Sequence, residues 1–163
     1  MNEKSVWRYA YAIICIFSAL LTATSGYRTV IARLSDASLP ELVVGALAGL
    51  FQLVWNDIAY LIAKPLKSTA LYGVLPFLGA GLNILSALLL ILRSRIGTQA
   101  SIGNCIIGIL AAAAAFVTVM RRERDDTWRI VSLTSCMAAN IAWLAYFRAS
   151  LRRVTRGERT NFL

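Results

Sequence analysis

The stretch at residues 52–65, "QLVWNDIAYLIAKP", sets the problem posed by the whole chain. It places an acid, Asp57, beside Asn56 inside a run that is otherwise soluble in lipid. A carboxylate prefers water, so burying one is costly unless it finds a partner. Widening the window decides what kind of run this is. Residues 42–63 are mainly apolar over a length that matches a spanning helix, for which roughly 20 residues are needed. Four more runs meet or approach that length, at residues 9–26, 71–92, 102–120 and 128–147. The expected fold class is therefore all-α: a polytopic membrane helix bundle of four to five transmembrane helices. It forms a single domain over residues 1–163 and ends in a basic tail, residues 148–163.

Composition supports this class and removes others. Of 163 residues, 58% are hydrophobic and only 15% charged, where soluble domains carry about a quarter. The mean hydropathy is +0.65. The net charge of +9 would point to nucleic acid in a soluble protein. Here the bases fall in short clusters between apolar runs, as in membrane loops, so no nucleic-acid partner is expected. There is no histidine, and the three cysteines lie singly inside apolar runs. Zinc sites draw chiefly on Cys and His, and the common nucleophile pairs need His, so no metal, cofactor or hydrolase chemistry is expected.

The N-terminus allows two readings. "MNEK…WR" before a short apolar run resembles a signal peptide. Trp7, Tyr9 and Tyr11 resemble the aromatic belt of a retained helix, which is the preferred reading. Between the first two runs, "YRTVIARLSDAS" fits either a short interfacial helix or a loop. With five spans, Lys and Arg divide nine to one side and eight to the other, a bias too small to orient the chain. The density of arginine in the tail places the C-terminus inside. The second and fifth runs carry the most polar residues; if either fails to cross, four spans remain and both termini share a side.

Within lipid, helices associate through small residues and polar side chains. Each run carries such a stripe at helical spacing. The first has Cys15, Ser18, Thr22 and Ser25; the second has Gly45, Gly49, Gln52 and Asn56. The third has Pro76, Gly79, Asn83 and Ser86; the fourth has Asn104, Gly108, Ala111, Ala115 and Thr118. The fifth has Ser132, Cys136, Ala139, Asn140 and Trp143. The glycines Gly45, Gly49, Gly79 and Gly108 read as packing positions. Asp57, Asn56, Gln52, Asn83, Asn104 and Asn140 form the candidate intramembrane polar site.

Asp57 is the only acid inside any proposed span. It lies seven residues before Lys64, roughly 10 Å along a helix, or about a third of the way into the hydrocarbon core. There an acid costs somewhat less than the 2.5–3.5 kcal/mol, roughly, of a central one. Tyr60 at i+3, Lys64 at i+7 and Lys67 are the partners in reach. Two readings stand: an acid that fixes helix depth, or a proton- or cation-binding residue in a path.

After Phe147 the chain reads "RASLRRVTRGERTNFL". Arg148, Arg152, Arg153, Arg156 and Arg159 suit anionic headgroups, each contributing about 1 kcal/mol near the surface, or a protein partner. Across Trp143, Tyr146, Phe147, Ser150, Arg152, Arg153, Val154, Thr160 and Phe162 the sequence resembles a family of small, mostly four-helix bacterial membrane proteins of unknown function. Its signature is Trp-x-Pro-Tyr-Phe, then Ser-Lys-Arg-Val and Thr-Phe. The resemblance covers about 20 residues, and Ala145 stands where that family has proline. It implies a bacterial inner-membrane protein with a cytoplasmic C-terminus and an even number of spans.

Three functions are compatible with these residues. One is a non-catalytic accessory, immunity or assembly factor acting through helix contacts, which the packing stripes favour. Its partners would be membrane lipids and a membrane protein or a second copy of the chain. Another is a small transporter or channel using Asp57 and the amides. The third is a lipid-modifying enzyme, whose only candidate site is the charged loop "RRERDD" at residues 121–126.

Overall fold

A computed structural model describes residues 3–24, 41–51, 53–67, 69–92, 95–122 and 127–155. Among them the chain forms six helices and no strand. These are α1 (Glu3–Ala23), α2 (Glu41–Leu50), α3 (Trp55–Leu66), α4 (Thr69–Ile91), α5 (Arg95–Arg122) and α6 (Thr127–Thr155). The chain is thus all-α, and four of its helices (α1, α4, α5 and α6) are long and apolar enough to cross a membrane. α5 and α6 extend past their apolar runs, 102–120 and 128–147, at both ends. The first eight residues of the basic tail, 148–155, form the last turns of α6. The proposed interfacial helix, Ser25, Arg156, Arg159 and the loop residues 123–126 lie outside the described residues.

The run 42–63 corrects the expectation of one continuous span. It is broken between Leu50 and Trp55, and the two halves meet at 95°. At 10 and 12 residues, α2 and α3 are roughly 15 and 18 Å long, each about half of a hydrocarbon core. Neither glycine nor proline marks the break. The Leu53 N–H donates to the Ala48 carbonyl at 2.8 Å, which closes α2 with a wider turn and leaves the chain free to change direction. Each half is then seated on a different neighbour. Gly45 approaches Trp128, and Gly49 lies so close to the α6 backbone at Ser132 and Cys136 that any Cβ would collide. Trp55 lays its ring against Gly79 of α4.

Side-chain contacts fix the direction of every long helix. Tyr11, Ala12 and Cys15 of α1 pack with Ala87 and Leu90 of α4, while Ser18 meets Asn83, so α1 and α4 are antiparallel. Arg8 reaches Thr98 at the start of α5, and Trp7 and Tyr11 meet Trp143 and Phe147 near the end of α6. One end of the bundle therefore holds the beginning of α1, the end of α4, the beginning of α5 and the end of α6. The end of α1 and the beginning of α4 share the opposite end. Gly45, near the start of α2, lies against Trp128 at the start of α6, and α3 ends at Leu66, just before α4 begins at Thr69, so α2–α3 enters and leaves at that end. The pair bends by 95° and turns back toward the end from which it starts, which is the geometry of a re-entrant pair.

The re-entrant pair fills one half of the bundle. Val54, Trp55, Ile58 and Leu61 bury against Ala112, Ala115 and Val119 of α5 and Leu133 and Cys136 of α6. The alanines of α5 allow this approach because they present no side chain beyond Cβ. Large apolar residues such as Phe77, Leu85, Leu92, Leu110 and Val117 point outward, as lipid contact requires.

Candidate functional site

The polar residues of the long helices converge where α1, α4 and α5 meet. On α1, Tyr11, Cys15, Ser18 and Thr22 recur at spacings of four, three and four, which keeps them on one face. Asn83 and Ser86 face them from α4, and Thr98, Ser101, Asn104 and Cys105 from α5. All of these residues are buried.

Asn104 is the centre of the arrangement. Its Nδ2 donates to the Tyr11 hydroxyl at 3.1 Å and to Asn83 Oδ1 at 2.8 Å. The Asn83 amide in turn donates to Ser18 Oγ at 3.2 Å. The Tyr11 hydroxyl also meets Cys105 Sγ at 3.5 Å. One side chain thereby ties three helices together. Toward the chain termini, the seam continues through Ser101, which donates to the Gly97 carbonyl at 2.8 Å, and Thr98, which accepts from Arg8 at 3.2 Å. Toward the opposite end it runs through Ser18 to Thr22. From Arg8 to Thr22 this is a polar seam roughly 21 Å long. An aromatic group of Tyr11, Trp143 and Phe147, with ring centroids 4.9–6.2 Å apart, closes its side toward α6.

Of the six polar residues expected to act together, the structure joins two. Asn83 and Asn104 share a hydrogen bond. Asn140 packs against Gly108, one turn along α5 from Asn104, and donates to the Cys136 carbonyl at 2.9 Å on its own helix. Asn56 and Asp57 stand apart, in the half of the bundle filled by the re-entrant pair. Gln52 lies outside the described residues.

Asp57 occupies the first turn of α3, whose preceding residue, Val54, offers no side-chain cap. Its charge therefore faces the positive end of a helix. The fold adds a partner from another helix, Arg129 in the first turn of α6, with Nε 4.0 Å from Asp57 Oδ1. The Arg129 guanidinium also lies over the Tyr60 ring at 5.3 Å, and Lys64 Nζ lies over the same ring at 5.0 Å. Tyr60 thus acts as an aromatic platform for two cations. Arg129 was invisible as a partner because 72 positions separate it from Asp57 in sequence.

Tyr11 departs from its expected place in an interfacial belt. Since α1 begins at Glu3, Tyr11 lies two turns inside the helix and is fully buried. Its spacing with Cys15, Ser18 and Thr22 was the signal that placed it on the inner face. Arg148 and Arg152 are exposed on α6, and Arg153 lies on the same helix. Among the described residues no group of three His, Cys, Asp or Glu side chains is arranged to hold a metal. Compared with protein families, with curated proteins and with solved structures, the chain matches none.

Proposed function

We propose that this chain is a small, non-catalytic protein of the bacterial inner membrane, with four spans and both termini in the cytoplasm, that serves a membrane partner through helix contacts. The supporting observation is the outer face of α6. Thr134, Ala138, Ala142, Ala145 and Ala149 are all exposed there, at spacings of three and four. The other long helices turn many leucine, isoleucine, valine and phenylalanine side chains outward, whereas among the described residues of α6 the one large apolar side chain exposed is Ile141. Small residues let a second helix approach closely in lipid, where van der Waals packing drives association. The inward glycines and amides are already engaged in building the bundle. Exposed Arg148 and Arg152 continue α6 toward the headgroups and favour a cytoplasmic C-terminus.

Site-specific photocrosslinking in native membranes tests this reading. A probe at Ala142 or Ala145 is expected to give a discrete protein adduct that probes at Leu85 and Leu110 do not. Ala142→Leu is expected to abolish it. Equal labelling from all three helices, or adducts to lipid alone, would count against a partner on α6.

A second reading, a small transporter, draws on one feature: the re-entrant pair brings a helix start and a carboxylate into the bundle, an arrangement that suits ion binding. Reconstituted vesicles that show proton or cation flux, lost in Asp57→Asn, would favour it over the accessory role.

A further inference from the structure

Two atoms in the polar seam are out of keeping with the rest of it. Asn104 Oδ1 and Thr22 Oγ1 are inaccessible from outside and meet no hydrogen-bond partner in the protein. Both residues are only 3% exposed. The Asn104 case is constrained by its own network. Its amide nitrogen donates to Tyr11 and Asn83; exchanging the oxygen and nitrogen would set two amide oxygens together at Asn83, and the atom in the outer position would still lack a partner. The carbonyl oxygen is left as an acceptor in a low-dielectric interior, where an unsatisfied group is strongly disfavoured.

We infer that the α1–α4–α5 seam is hydrated, with one water bound to Asn104 Oδ1 and another to Thr22 Oγ1. Water is the ligand class that fits, because it can donate to the amide oxygen and also accept from or donate to neighbouring hydroxyls. A buried water needs two to four polar partners, roughly. Ser101 stands three residues before Asn104 on α5, and Ser18 stands four before Thr22 on α1, each on the same helix face as its neighbour. Both serines are fully buried. The seam thus supplies a polar pair at each site. By contrast, the cluster around Leu61, Val119 and Leu133 is lined by apolar side chains and offers water nothing to bind.

Solid-state NMR of the full-length protein in lipid bilayers provides the test, by transferring magnetisation from water to side-chain amides. Asn140 is an internal control: it is equally buried, lies one turn away, and donates to the Cys136 carbonyl at a different helix interface. The Asn83 and Asn104 amide signals are expected to build up from water faster than that of Asn140. Equal, slow build-up at all three would overturn the inference. Thr22→Val gives an independent readout that keeps the side-chain shape. If the hydroxyl holds water, the substitution removes a satisfied group and lowers the thermal midpoint. If the hydroxyl is dry, removing it relieves an unpaired polar atom. An unchanged or raised midpoint would therefore overturn the site at Thr22.

Discussion

Asn104 donates to the Asn83 carbonyl across 2.8 Å, and this bond fastens α5 to α4 at the centre of the three-helix seam. The same amide group holds Tyr11 of α1. Interhelical hydrogen bonds in membranes contribute roughly 0.6–2 kcal/mol each, so the loss of this residue removes more than one such term. Asn104→Leu is expected to destabilise the protein by about 1–4 kcal/mol, since Asn83 also loses a buried partner. Denaturant or thermal unfolding in detergent checks this. A loss equal to that of Asn140→Leu, whose amide bonds only within α6, would argue against the central role of Asn104.

The glycines divide by what stands opposite them. Gly49→Ala forces a methyl group into the backbone of α6, and overpacking of this kind costs about 1–3 kcal/mol. Gly81→Ala places its methyl where no atom lies within 4 Å. It is expected to be neutral or to stabilise by up to about 1 kcal/mol through helix propensity. The same unfolding measurements separate the two.

Arg129 is the tertiary partner of Asp57, so the two should be coupled. Their side chains are 25% and 15% exposed, which leaves some screening by solvent. Arg129→Gln is expected to destabilise more than the double variant Asp57→Asn, Arg129→Gln, with a coupling of about 0.5–2 kcal/mol. Additive effects would show that the 4.0 Å approach carries no energy.

The re-entrant geometry predicts topology without any appeal to charge. Reporter fusions at the two termini are expected to report the same side of the membrane. A fusion truncated after Lys67, and another after Arg122, are expected to report the opposite side. Termini on opposite sides would mean that α2–α3 crosses after all.

Much of the architecture is legible from hydropathy, because lipid requires each spanning helix to satisfy its own backbone and to show an apolar exterior. Four of the five runs became long helices for that reason. The inward stripes were equally readable. Cys15, Ser18 and Thr22, then Gly79 and Asn83, then Asn104 and Gly108, and finally Cys136 and Asn140 all lie on buried faces, since small and polar residues are the ones that lipid disfavours.

What the sequence by itself determined, then, is the all-α class, the position of the long helices and the face each turns inward. Those properties follow from local composition at a period of 3.6, roughly. Only the tertiary structure decided which stripes meet. It joined Asn83 to Asn104 and kept Asn140 in a separate contact, because interhelical distances depend on direction and neighbour order, which periodicity does not encode. It also divided "QLVWNDIAYLIAKP" from the helix before it. That run has the length and composition of a span, yet Gly49 seats one half on α6 and Trp55 seats the other on α4. Two packing contacts far apart in sequence outweighed the propensity of a continuous helix, and they carried Asp57 to an arginine 72 positions away.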